Sequence, residues 1–258
     1  MAQIIDINFR AVRTSDEFEL VDPATLAARI DSGSPPGPGA TRVLTPPAYY
    51  SLAEGIAGNR RINDALIAAA SARPGWRALG VAEPKYGEAA STELERLAAL
   101  GAAGVVWSAR AQGLFANDHV LAGMCRHAAG CGLLSMVRSA PYSINEGLWR
   151  VWALAAQVPD IPLVVLGALE SWENIQFVRE YRGGGDNLFY DLSNLSEAWD
   201  LDALVGSMGA ERLLFGSGGG DLFAATLAMV DRSTIAATAK QAILAGNAAQ
   251  LLGRGPGI

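Results

Sequence analysis

Short apolar runs alternate with longer runs of helical spacing along this chain, and that beat restricts the fold more than any other feature. Residues 104–107, 133–137, 162–169, 188–192 and 212–215 are apolar and of strand length. Between them, 117–129, 144–156, 170–181 and 200–208 carry apolar residues at helical intervals. The clearest strand, PLVVLGAL, is apolar throughout, as a parallel strand covered on both faces must be. The first third adds strands at 4–9, 41–45 and 77–82, and helical stretches at 16–30, 51–72 and 88–100. A proline–glycine loop, DSGSPPGPGA, occupies 31–40. About eight strand–helix units in 258 residues predict an α/β fold, a single (β/α)8 TIM barrel spanning 1–258. An open, doubly wound sheet is the alternative.

Composition narrows the class further. Half the residues are hydrophobic and 18% are charged, so a large core is expected. A net charge of −6 argues against a nucleic-acid partner. No apolar run approaches the roughly 20 residues of a membrane span, and the N-terminus has no basic-then-apolar secretory pattern. Two cysteines make no disulfide framework. A cytoplasmic protein with no membrane contact is expected.

A barrel of this kind places its site at the carboxyl ends of its strands. The polar residues there are Asn8, Arg10, Thr45, Glu83, Lys85, Ser108, Arg110, Arg138, Ser139, Glu170, Asp191, Ser193, Ser217 and Asp221. The last strand opens into Gly216-Ser217-Gly218-Gly219-Gly220, with Asp221 at the start of the next helix. Such a loop either cradles a phosphate or only makes a tight turn, and Asp221 is a helix cap or a site carboxylate. Asp191 and Glu170 are the candidate general acid or base, with a buried structural role for Asp191 as the alternative. Arg10, Arg138, Arg110 and Lys85 give the mouth positive charge, suited to a carboxylate or phosphate. The expected ligand-binding set is Asn8, Arg10, Glu83, Lys85, Arg110, Arg138 and Ser217.

Several phrases resemble one known family. RLLFGSG at 212–218 is similar to the last barrel strand of the amidohydrolase-related (amidohydrolase 2) family of the amidohydrolase superfamily. GVAEPKYGEAASTELERLAALGAAGVV, PLVVLGALESW and ILAGNAAQLLG resemble its third-to-fourth unit, sixth strand and closing helix, in the right order. The resemblance implies a TIM barrel and hydrolytic chemistry on a metal. Its ligands are two histidines one residue apart on the first strand, one each on the fifth and sixth, and an aspartate on the eighth. Here those positions hold Asn8, Arg10, Arg138, Ala168 and Gly218. Arginine offers no lone pair, and alanine and glycine have no ligand atom. The two histidines, His119 and His127, fall in a helix pattern. Cys125, His127 and Cys131 make three of the four ligands a structural zinc site needs.

No metal or other cofactor is therefore expected. Three functions stay open: a metal-free, small-anion-binding pseudoenzyme, a metal-independent hydrolase or lactonase, and a metal hydrolase with shifted ligands. The partner candidates are a small anionic molecule, a second copy of the chain, and an active homologous hydrolase. The helix carrying Trp149 and Trp152 either buries against a second subunit or packs onto the barrel itself.

Overall fold

The computed structural model describes residues 3–10, 40–46, 55–219 and 222–253. Eight parallel strands follow one another in chain order around a (β/α)8 barrel. They are β1 (Ile4–Arg10), β2 (Ala40–Thr45), β3 (Trp76–Gly80), β4 (Gly104–Trp107), β5 (Leu134–Arg138), β6 (Leu163–Leu166), β7 (Leu188–Asp191) and β8 (Leu213–Leu214). The helices are α1 (Ile56–Ser71), α2 (Glu88–Ala99), α3 (His119–Gly130), α4 (Leu148–Gln157), α5 (Trp172–Glu180), α6 (Ala198–Met208), α7 (Phe223–Arg232), α8 (Ala237–Gln241) and α9 (Asn247–Leu252).

Alternation along the strands builds two apolar layers. Ile5, Ile7, Val43, Leu79, Val106, Met136, Val164, Leu166 and Leu214 fill the barrel, and Leu251 and Leu252 of α9 join them. Their neighbours, Val105, Val137, Val165, Leu188, Tyr190 and Leu213 among them, face the helical shell. The barrel is joined at its seam by backbone bonds from Ile7 N to Phe215 O, 2.9 Å, and from Gly218 N to Asn8 O, 2.8 Å.

The expected elements are present with shifted ends. The helix expected at 117–129 begins at His119, because Asp118 rather than Asn117 caps it and accepts the Val120 N–H. The expected helix at 170–181 begins at Trp172 behind a Ser171 cap, which leaves Glu170 in a short 3-10 turn. The strand expected at 212–215 is only Leu213–Leu214. One turn of π-helix, Ala242–Gly246, separates α8 from α9. Within it the Ile243 carbonyl accepts the Phe215 N–H at 2.9 Å, so Phe215 gives its N–H to a helix and its carbonyl to β1. The expected helix at 16–30, the loop at 31–39, and Gly220 and Asp221 lie outside the described residues.

Among the described residues no helix is long and apolar enough to cross a membrane. The cysteine–histidine cluster is ordinary packing. Cys125 is buried, which pushes its thiol up to about 12, and His127 Nε2 lies 3.3 Å from Glu95. Trp152 is also internal: its ring stacks on Phe177 at 4.6 Å and its indole N–H donates to Tyr190.

Candidate functional site at the carboxyl ends of the strands

Asp191 ends β7 and is the knot of the site. It has no solvent exposure. Its Oδ1 accepts the Gly167 N–H after β6, at 2.9 Å. Its Oδ2 accepts Asn8 Nδ2 from β1, at 2.8 Å, and the Ser193 N–H at 3.3 Å. Burial pushes this carboxyl above the ordinary range, and the bonds from Ser193, Asn8 and Gly167 and the charge of Arg10 pull it back. One side chain thus ties the ends of β1, β6 and β7.

Asn8 is oriented by that bond. A carboxylate only accepts, so the amide must present Nδ2 to Asp191, and Oδ1 points the other way as an acceptor. Asn8 Oδ1 is buried and has no hydrogen-bond partner. Thr45 Oγ1, at the end of neighbouring β2, is in the same condition. Buried polar atoms are normally satisfied, so two such atoms on adjacent strand ends suit a bound polar molecule.

The two arginines expected to point inward do so differently. Arg138 leaves β5 and its Nη2 donates to the Pro46 carbonyl just beyond β2, at 3.0 Å. Those strands are three apart, so its guanidinium reaches across the mouth. Arg10 lies at the β1–β8 seam, where its Nε donates to the Gly218 carbonyl at 3.0 Å. Gly218 has φ 72°, a backbone region side chains rarely adopt, and an added Cβ would stand 3.1 Å from Arg10 Nη2. The position where the family resemblance expects an aspartate is shaped here for glycine beside arginine.

Gly216 is tighter still. A Cβ there would lie 2.8 Å from Asp191 Oδ2 and 3.2 Å from Asn8 Cβ. Gly216→Ala is expected to lower stability by about 1–3 kcal/mol through overpacking. A urea unfolding curve measures it, and an unchanged midpoint would show that the Asp191 knot is loose.

The remaining expected residues spread out. Glu83 is buried after β3, with Lys85 Nζ 3.5 Å from its carboxylate and the Asn59 side chain accepting its N–H. Glu170 is exposed at the rim, where Asn194 Nδ2 donates to it at 3.1 Å. It approaches Gly167, whose N–H serves Asp191, so Asp191 and Glu170 meet one residue without forming a pair. Arg110 is exposed, and its backbone N–H donates to Glu146.

Ser217 favours the tight turn over the phosphate cradle for the described part of its loop. Its hydroxyl donates to Asp6 Oδ2 at 2.6 Å and its N–H to Asp6 Oδ1 at 2.9 Å. The Gly218 N–H goes to Asn8 O and the Gly219 N–H to Ser217 Oγ. Within 217–219 each backbone donor already serves the protein. Asp6, which the strand-end reading missed, is fully buried in β1 opposite Arg42 of β2.

No protein-family profile and no curated protein matches this sequence. Solved structures match its fold. The 5-carboxyvanillate decarboxylase of Sphingomonas paucimobilis is 15% identical with a TM-score of 0.65, covering 98% of this chain and 99% of its own. That of Novosphingobium aromaticivorans, complexed with manganese and 4-hydroxy-3-methoxy-5-nitrobenzoic acid, is 14% identical with a TM-score of 0.71, covering 98% and 96%. A Staphylococcus aureus protein assigned as an amidohydrolase is 14% identical with a TM-score of 0.70, covering 97% and 99%. At these identities the likeness establishes the TIM-barrel fold and nothing finer.

Proposed function

We propose that this chain is a divergent amidohydrolase-like barrel that holds no resident divalent metal and binds a small anion at its mouth. The observation that carries the reading is the Arg138 guanidinium laid across the mouth to Pro46, the residue after Thr45, whose Oγ1 is buried and unsatisfied like Asn8 Oδ1 on the neighbouring strand. A cation next to a fixed acceptor suits a ligand with a carboxylate or phosphate and a hydrogen-bond donor close by.

The donor set does not fit the manganese of the Novosphingobium enzyme. Among the described residues no three histidine, cysteine, aspartate or glutamate side chains converge. Both oxygens of Asp191 already accept from the protein, and Arg10 and Arg138 set positive charge where a dication would sit. The same engagement of Asp191 weighs against the metal-independent hydrolase, which needs a carboxylate able to take a proton from water. These features support an unreactive binding barrel, alone or with an active relative.

Titration calorimetry against phosphate, small dicarboxylates, lactones and hydroxybenzoates tests this, the last because of the neighbours' substrates. One anion is expected to bind the wild type and to weaken at least about tenfold in Arg138→Ala, the loss of a charged hydrogen bond of about 1.5–3 kcal/mol. Silence across the set, or equal binding by the variant, overturns the reading. So does stoichiometric metal in the purified protein, or lactone turnover abolished by Asp191→Asn.

A further inference from the structure

Outside the barrel mouth, one face joins α4, α5 and the loops after β4 and β5. Phe115, Tyr142, Ile144, Trp149, Phe177 and Tyr181 are each between 37% and 88% exposed there. They form one surface. The Arg150 guanidinium lies 4.2 Å from the Phe115 ring centre and 4.1 Å from that of Trp149. A cavity of about 430 Å³ is walled by Tyr142, Ile144, Trp149, Glu173 and Phe177. Phe177 and Tyr181 stand ring to ring at 4.8 Å. Tyr142 has φ 61°, a costly conformation for a non-glycine residue, and it holds the ring at the rim of this cavity.

Large side chains of this kind offer roughly 150–250 Å² each, so six at about half exposure present on the order of 600–700 Å² of apolar surface. A monomer's largest apolar patch is about 300–600 Å². A standard interface takes about 800 Å² from each partner, a little over half of it apolar. This patch alone supplies the apolar part of such an interface.

The charges on it have a matching pattern. Glu173 is the one charged residue walling the cavity, and its carboxylate takes the Tyr142 hydroxyl. Arg150 is the cation stacked on Trp149, steadied by bonds to Ile144 O and Asn117 Oδ1. Arg150 and Glu173 thus give the patch charge of both signs. A two-fold axis that lies in the plane of the patch and bisects the line between Arg150 and Glu173 sets one copy's Arg150 against the other's Glu173, twice. We propose that this face is the interface of a symmetric homodimer of this chain.

Equilibrium sedimentation of the full chain is the test. The wild type is expected to be dimeric at about 10 μM, and Arg150→Glu and Glu173→Arg are each expected to raise the dimer dissociation constant at least about 30-fold. The combined charge swap is expected to return it to within about threefold of the wild type. Circular dichroism checks that each variant is folded. Where Arg150→Glu misfolds through its lost bonds, Ile144→Lys takes its place, with the same expected loss. A monomeric wild type at ~100 μM, a dimer indifferent to these substitutions, or a double swap no better than the single ones overturns the proposal.

Discussion

Asp191→Ala is expected to lower the unfolding free energy by about 3–5 kcal/mol, a loss usually seen when a buried charge network is broken. The alanine leaves the Gly167 N–H without its acceptor, takes the shortest acceptor from Asn8 Nδ2 and removes a negative charge near Arg10, at a position with no exposure. Asp191→Asn should cost only about 1 kcal/mol. The new side-chain oxygen still receives the Gly167 N–H. The new amide faces Asn8, which can turn its own amide over and accept with Oδ1, so the bond lost is the longer one from the Ser193 N–H, 3.3 Å. Urea unfolding of both variants checks the pair. Equal losses would mean that Asp191 does not tie the strand ends together and would return it to the list of catalytic candidates.

Much of the barrel was legible because its strands are buried on both faces. Runs such as LVVL in β6 can be little else in a chain that alternates them with helical patterns. Strand ends were less legible, since pairing depends on neighbours the local sequence does not show. β8 is the clearest case. ERLLFGS reads as a four-residue strand, yet Phe215 bonds to a carbonyl released by a π-turn almost thirty residues later. No local pattern predicts that bond. The Asp118 cap differs from the expected one by a single residue between two good capping side chains, a choice made by tertiary contacts.

The site divides along the same line. Asn8, Arg138 and Asp191 could be placed at the mouth from strand ends alone. Which of them bond to each other could not, because that depends on the stagger around the barrel. Asp6 was overlooked for lying mid-strand instead of at an end. The signal was present: a carboxylate inside IIDINFR and an arginine inside ATRVLT are charges in the middle of barrel strands, and buried charges need partners. The glycine-rich loop stayed open between two readings because its donors look available in sequence, whereas those of 217–219 go to Asp6, Asn8 and Ser217 Oγ.

That buried carboxylate sets the remaining large effect. Burial raises the Asp6 carboxyl from 3.8 to about 6, against the lowering by its bonds from Ser217 and by the charge of Arg42. The folded protein therefore holds this proton more tightly than the unfolded chain does. The stability contributed by Asp6 is present in full below about pH 4 and is lost as pH rises to about 6, in total about 3 kcal/mol. Arg42 does not titrate in this window. Burial lowers it only to about 10, and its guanidinium lies 4.2 Å from the Phe9 ring centre and 4.9 Å from that of Trp76. Asp6→Asn removes the titration while keeping an oxygen for the Ser217 N–H and an amide for its hydroxyl to accept. Relative to the wild type, Asp6→Asn should thus gain about 3 kcal/mol between pH 4 and pH 7, with all other carboxylates cancelling in the difference. Urea unfolding of both proteins across that range measures it. Parallel curves would mean that Arg42 compensates the burial of Asp6 completely, and that β1 and β8 are joined through a carboxylate ionised at every pH in the range.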